Sequence, residues 1–200
     1  RSVVEIYTGM RRVKVSDGKF ICRCNNSQAA PGPEGNVSLN YQAPEHLNPY
    51  DNDELLKLIH ISVLCSESAV SRLKGEYIVN GSPTENALVH VALGSGVDIL
   101  TLSEKFPLLE IKHRSENRNF MTSFHKCLNS HTRIIAVKGS PAEVLSLCGW
   151  QVKDGEKILL TEDDRLAIEI ENERMAGDAL RVLGVAYAFG DEDQENPPSP

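Results

Sequence analysis

Two Asp-Gly pairs, Asp17-Gly18 and Asp154-Gly155, restrict what this chain can fold into more than any other feature. Asp-Gly between apolar or β-branched runs favours the two-residue turn whose twist matches an antiparallel hairpin. The first pair joins 12–15 to 20–23, and the second joins 150–152 to 157–160. With a further strand-like run at 3–7, the opening block reads as antiparallel sheet at an edge. Between the hairpins the apolar period changes. Leu55, Leu56, Ile59, Val63 and Leu64 recur at helical spacing across 51–66, with Asp51 or Asn52 as the cap. Hairpins interspersed with long helices predict an α+β fold, a largely antiparallel twisted sheet flanked by helices.

Helix starts are written plainly. Ser82-Pro83-Thr84-Glu85 and Ser140-Pro141-Ala142-Glu143 each combine a capping box with Pro at the first helical position. The first predicts a helix burying Leu88, Val89, Ala92 and Leu93 and ending at Gly94 or Gly96. The second predicts a face of Val144, Leu145, Leu147 and Cys148. A charged helix starts at 161–164, with Leu166, Ile170 and Met175 as its buried side. A short helix over 98–105 is stopped by Pro107. Extended segments fall at 77–79, 108–111, 121–125 and 133–137, and the run 180–189 reads as the centre of the sheet. Residues 25–50, rich in Pro, Gly and Asn, read as a long surface loop.

The totals narrow the function. Two hundred residues with 40% hydrophobic and 24% charged content can bury a proper core. A net charge of −7 argues against a nucleic-acid partner, because no basic field offsets phosphate repulsion. An anionic ligand then needs a local cationic site. Five scattered cysteines, an odd number, point to a reducing compartment, and Cys22-Arg23-Cys24 lacks the second pair a zinc site requires, so no metal is expected. The glycosylation patterns at Asn25, Asn36 and Asn80 matter only in a secreted chain. No apolar run approaches the roughly 20 residues of a membrane-spanning helix. The strand-like start without Met and the acidic, Pro-rich segment 190–200 suggest a piece of a longer polypeptide.

Catalytic machinery is not written in the chain. There is no Walker-type phosphate loop, no G-x-G-x-x-G turn and no H-E-x-x-H. Polar residues stand instead at the ends of elements: Glu85, Arg118, Lys138 and Arg181. Lys138-Gly139, between a strand and a helix start, suits either a phosphate-bearing ligand or an ordinary turn. Glu85 suits a helix cap or a ligand amino group. Arg181, at the entrance of an apolar run, either snorkels or faces an anion. One carboxylate and two or three cations meeting at a cleft suffice to hold a nucleotide, base at one end and phosphates at the other.

Three stretches carry a resemblance. Gly81-Ser82-Pro83-Thr84-Glu85-Asn86-Ala87-Leu88 resembles the G-x-P-T-E-x-A-L motif of the nucleotide-binding domain of P-type cation-transporting ATPases. Lys138-Gly139-Ser140-Pro141-Ala142-Glu143 is similar to that family's K-G-A-P-E, and 180–187 to its L-R-V-L-x-x-A-Y. They occur in the family's order across nearly the whole chain. The resemblance implies a nucleotide-binding domain over 1–190, with 191–200 leading back to a phosphorylation domain. It implies a domain on the cytoplasmic side of a membrane, itself without membrane contact. It also implies ATP as ligand (Mg-ATP in the full-length pump), and the phosphorylation and actuator domains of the same polypeptide as partners. The chain would position ATP for transfer to an aspartate outside it, and alone would be inactive. Carried over by motif, Glu85 meets adenine, Lys138 and Gly139 line the pocket, and Arg181 approaches the phosphates. Arg118 falls on the family's arginine in F-S-S-E-R-K-x-M. The sequence departs from that motif where the adenine-stacking aromatic falls on Arg114 and a basic residue falls on Asn119. His113, Phe120 or Phe124 can supply the ring under a shifted register, or Arg114 can stack by its guanidinium plane. The alternative is a catalytically silent interaction module on the same scaffold. A free-standing kinase or phosphatase would need metal-binding aspartates and a phosphate loop that are not found.

Overall fold

The computed structural model describes residues 2–22 and 43–191. Its first sheet is a four-stranded antiparallel meander, β1 (Glu5–Thr8), β2 (Arg11–Ser16), β3 (Lys19–Cys22) and β4 (Glu45–Leu47). Asp17 and Gly18, both at positive φ, make the predicted turn between β2 and β3. Residues 25–50 were expected to form one long loop. Its last part contributes β4 and a 3-10 turn at Pro49–Asp51, because Glu45 to Leu47 pair with the free edge of β3. Its first part, with Cys24, Asn25 and Asn36, lies outside the described residues, as does the linker beyond Asp191.

Helix α1 (Asp53–Leu64) follows, capped by Asn52, whose side chain accepts from the Leu55 N–H at 3.0 Å. Leu55, Ile59, Ile61 and Val63 are buried, and one core cluster joins them to Val13 and Phe20 of the first sheet and to Met121, Ile134 and Ala136 of the second. The helix is thus the mast on which both sheets hang. Next comes a hairpin of β5 (Ala69–Leu73) and β6 (Glu76–Asn80), turned by Lys74 and Gly75 at positive φ. Only 77–79 of it was legible as strand. Helix α2 (Pro83–Gly94) and α3 (Ile99–Lys105) then lead into the second sheet.

That sheet has the order β12-β9-β8-β7, all neighbours antiparallel, from β7 (Leu108–Lys112), β8 (Phe120–Lys126), β9 (Thr132–Gly139) and β12 (Gly184–Asp191). The run 180–189 was expected at the sheet centre. Only 184–191 is strand, and it sits at an edge, because β9 and β8 fill the middle. Between β9 and β12 come α4 (Pro141–Ser146), the hairpin β10 (Trp150–Lys153) and β11 (Glu156–Leu159), and α5 (Glu162–Gly177). Asp154 and Gly155 turn that hairpin as the sequence predicts.

Helix α5 is turned differently from its apolar pattern. Leu166 and Ile170 are exposed, while Glu171 and Met175 are buried. Arg12 of β2 donates to both Glu171 oxygens at 2.9 and 3.0 Å, and Arg174 donates to Glu171 and to Glu5 of β1. A charged seam, not the leucine-isoleucine stripe, docks this helix on the first sheet. Leu147, expected on the inner face of α4, follows the helix and is exposed. Among the described residues no single helix is long and apolar enough to cross a membrane.

Candidate functional site

Strand alternation decides where Lys138 goes. In β9, Ile134, Ala136 and Lys138 share the face that packs towards α1, and all are buried. The lysine was expected in a turn open to solvent. It is instead the penultimate residue of the strand, with a side chain 0% exposed. An ammonium in that position needs partners. It donates to the Ser62 carbonyl at 3.2 Å, near the end of α1 where helix carbonyls lack intrahelical donors, and to Glu85 Oε2 at 2.8 Å.

Glu85 arrives from the first turn of α2. Ser82 caps that helix, accepting from the Glu85 N–H at 3.3 Å. The reciprocal half of the expected box is not made. The Glu85 carboxylate turns to Lys138 and to the Ser66 hydroxyl, which donates to the same Oε2 at 2.7 Å. Beneath them Cys65 is fully buried. Burial pushes its thiol pKa up, with the nearby Lys138 ammonium pulling the other way.

Above this pair lies a cavity of about 320 Å³ lined by Glu85, Glu67, Arg114, His113 and Arg181, with Ser82, Thr84 and Met121 completing the wall. Five separate segments supply it: the turn after α1, the start of α2, the β7–β8 connection, β8, and the stretch before β12. Glu67 and His113 meet across it, carboxylate to Nδ1, at 2.5 Å. Arg181 precedes β12 in an irregular segment and is exposed.

Four of the sequence-derived candidates therefore share one cavity: Glu85, His113, Arg114 and Arg181. The others do not line it. Lys138 lies behind Glu85. Gly139 pairs with Phe120 and Gly184, and a Cβ there would stand 2.3 Å from the Asn119 carbonyl and 2.4 Å from Phe120 Cα. The glycine admits the close approach of the neighbouring strand. Arg118 donates to the His113 carbonyl at 2.8 Å and lies over the Phe120 ring at 5.4 Å. It braces the connection that carries His113 and Arg114. Phe120 opens β8 under that guanidinium.

Asn119, the second departure in the motif, has its own task. Its backbone N–H and side-chain amide donate to Glu143 at 2.8 and 3.1 Å, and its carbonyl accepts from the Ser140 N–H at 2.8 Å. The Ser140 capping box consequently does not form, and Ser140 makes no side-chain cap bond. Glu67 and Ser66 escaped the sequence reading. Their one signal is position, directly after the buried end of α1 at Cys65. Among the described residues no group of three His, Cys, Asp or Glu side chains is placed to hold a metal ion.

The chain is thus an α+β domain whose polar cavity lies between a helix start and a sheet end. The family model for the cytoplasmic domain N of P-type ATPases matches residues 54–199, and the chain belongs to that family. A calcium-transporting ATPase of Listeria monocytogenes is 28% identical over 155 residues, 78% of this chain and 17% of its own. A cation-transporting ATPase of Synechocystis is 28% identical over 186 residues, covering 92% of this chain and 19% of its own. A calcium-transporting ATPase of Lactococcus lactis is 31% identical over 130 residues, 65% and 14% of the two chains. The chain thus spans less than a fifth of the length of these relatives.

Proposed function

We propose that the cavity between α2 and the β7–β8 connection binds ATP. The chain would serve as the ATP-binding domain of an ion-transporting pump, presenting the γ-phosphate to an aspartate elsewhere in the parent polypeptide. Its contribution is positioning and charge neutralisation, which dominate phosphoryl transfer. Glu85 accepts from the adenine amino group. Arg114 or His113 lies against the base, and Arg181 attracts the phosphates. Arg118 acts from behind, by bracing the connection. Mg²⁺ would travel with the phosphates, and the phosphorylation and actuator domains of the parent would be the partners. The observation that carries the reading is that Glu85, Arg114 and Arg181, from three distant segments, line one cavity.

A second reading, a silent interaction module, has its own observation: no Phe, Tyr or Trp is among the described residues lining the cavity. Base–aromatic stacking contributes about 1–3 kcal/mol per base where it occurs. Melting the chain with and without ATP separates the two. A binder gains stability by mass action, so its melting temperature rises with ATP concentration. An unchanged melting temperature at millimolar ATP would favour the silent module.

A further inference from the structure

We propose that Glu67 is an autoinhibitory strap on the cavity: its carboxylate holds His113 across the mouth, and a ligand must displace that contact to enter. The inference rests on the nucleotide reading above and adds what keeps the empty site closed. Glu67 and His113 both line the cavity, and they come from separate segments, the turn after α1 and the β7–β8 connection. Oε1 of Glu67 stands 2.5 Å from Nδ1 of His113. An ionised carboxylate only accepts, so the hydrogen is on Nδ1 and the ring is the donor. The Glu67 side chain is 52% exposed and that of His113 65%, so the contact lies at the solvent side. Met121 lines the same cavity but is buried, and marks its floor.

The anchors of the strap are fixed and its side chains are not. Ser66 donates to Glu85, the Ser68 N–H donates to Ser66 Oγ at 3.1 Å, and the Ser68 hydroxyl donates to Asn86 Oδ1 at 3.1 Å. Glu67 therefore stands on backbone tied to the start of α2. His113 stands on a connection braced by Arg118, which donates to its carbonyl at 2.8 Å. Opening then takes a rotamer change at Glu67 or His113 and no movement of a loop. An exposed ion pair is weak, so the strap restrains entry without locking the site. Its charge also opposes a nucleotide. Glu85, the other carboxylate in the lining, has the Lys138 ammonium at 2.8 Å, whereas Glu67 faces the cavity with an imidazole as its partner. Phosphates drawn in by Arg114 and Arg181 meet that carboxylate until it swings away.

Removing Glu67 should therefore strengthen binding, the opposite of removing a residue that contacts the ligand. Calorimetry with ATP should give Glu67→Ala an affinity about fivefold above that of the unmodified chain, because apparent affinity scales with the fraction of sites open. Glu67→Gln, which keeps an acceptor for the Nδ1 hydrogen but no charge, should gain about twofold. Weaker binding in Glu67→Ala would make Glu67 a ligand contact, and unchanged binding would leave it nothing to close. Either result overturns the strap. So would equal gains in both variants that vanish at about 1 M salt, which reduce Glu67 to repulsion at a distance. A second measurement needs no nucleotide. A thiol placed on the floor by Met121→Cys should react with methyl methanethiosulfonate about fivefold faster once Glu67→Ala is added, read at that residue by mass spectrometry. Thr84→Cys, also in the lining, serves if the first variant does not fold. If neither the unmodified chain nor Glu67→Ala binds ATP, the nucleotide reading falls and the labelling rate alone decides the strap. Acceleration keeps it as the gate of the cavity, and equal rates remove it.

Discussion

Thr161 at the start of α5 and Ser82 at the start of α2 each accept from the N–H three residues on, at 3.1 and 3.3 Å. In both, an acid occupies the third helical position. At α5 the box closes: Asp164 returns to the Thr161 N–H at 3.1 Å, and that bond holds its pKa below the usual carboxylate value. At α2 the box stays half open, because the Glu85 carboxylate is claimed by Lys138 and Ser66. Similar local chemistry gives two outcomes, and what differs is a buried cation reaching the acid from another element. A helix start whose acid is taken from its cap marks a place where tertiary structure overrode the local optimum, and such places are where sites are expected.

The comparison can be broken in graded ways. The largest effect belongs to Lys138→Met, which strands a nearly buried Glu85. It should lower unfolding free energy by about 3 kcal/mol in denaturant titration, as for other broken buried pairs. Gly139→Ala should cost about 2 kcal/mol by the same measurement, since its Cβ meets backbone that can yield only by moving β8.

The charged seam under α5 supplies a pH test. Burial pushes the Glu171 pKa up, but hydrogen bonds from Arg12 and Arg174 outweigh it and hold the group below its ordinary value. With the folded value depressed, the stabilisation is present above the unfolded pKa and is lost as pH falls through the folded one. Glu171→Gln should lower stability by about 1.5 kcal/mol near neutrality and flatten the loss on acidification. Thermal melts from pH 7 down to 3 measure it, and an unaltered slope would remove the seam from the account. Thr161→Ala comes last. Losing a cap hydroxyl costs about 1 kcal/mol, and ATP affinity by calorimetry should not move, since α5 does not line the cavity.

The fold was legible wherever a local rule acted alone. Both Asp-Gly turns, the Asn52 cap with the α1 stripe, and the α2 start are written in adjacent residues. What was not legible depended on partners far along the chain. Glu171 displaces Ile170 from the buried side of α5 because Arg12, 159 residues away, bonds it. Strand β4 exists because β3 offers it an edge, and β12 is peripheral because β9 has β8 on its other side. Strand β5, with Ser71 and Arg72 in its middle, has no apolar alternation to announce it. At the candidate site the motif residues Glu85 and Arg181 line the cavity, whereas Lys138, read as opening towards solvent, is buried. Alternation from Ile134 through Ala136 would have placed that side chain inward. Glu67 carries no motif, and only the fold brings it opposite His113.

The most direct test of the central claim is a backbone amide NMR titration of the chain with ATP. The account predicts that shifts concentrate at Glu67, Glu85, His113, Arg114 and Arg181, leaving the β10–β11 hairpin and the start of α5 still. Silence at those five residues at millimolar ATP, or shifts gathered instead around Phe20, Leu47 and Gly94 on a separate groove, would contradict it.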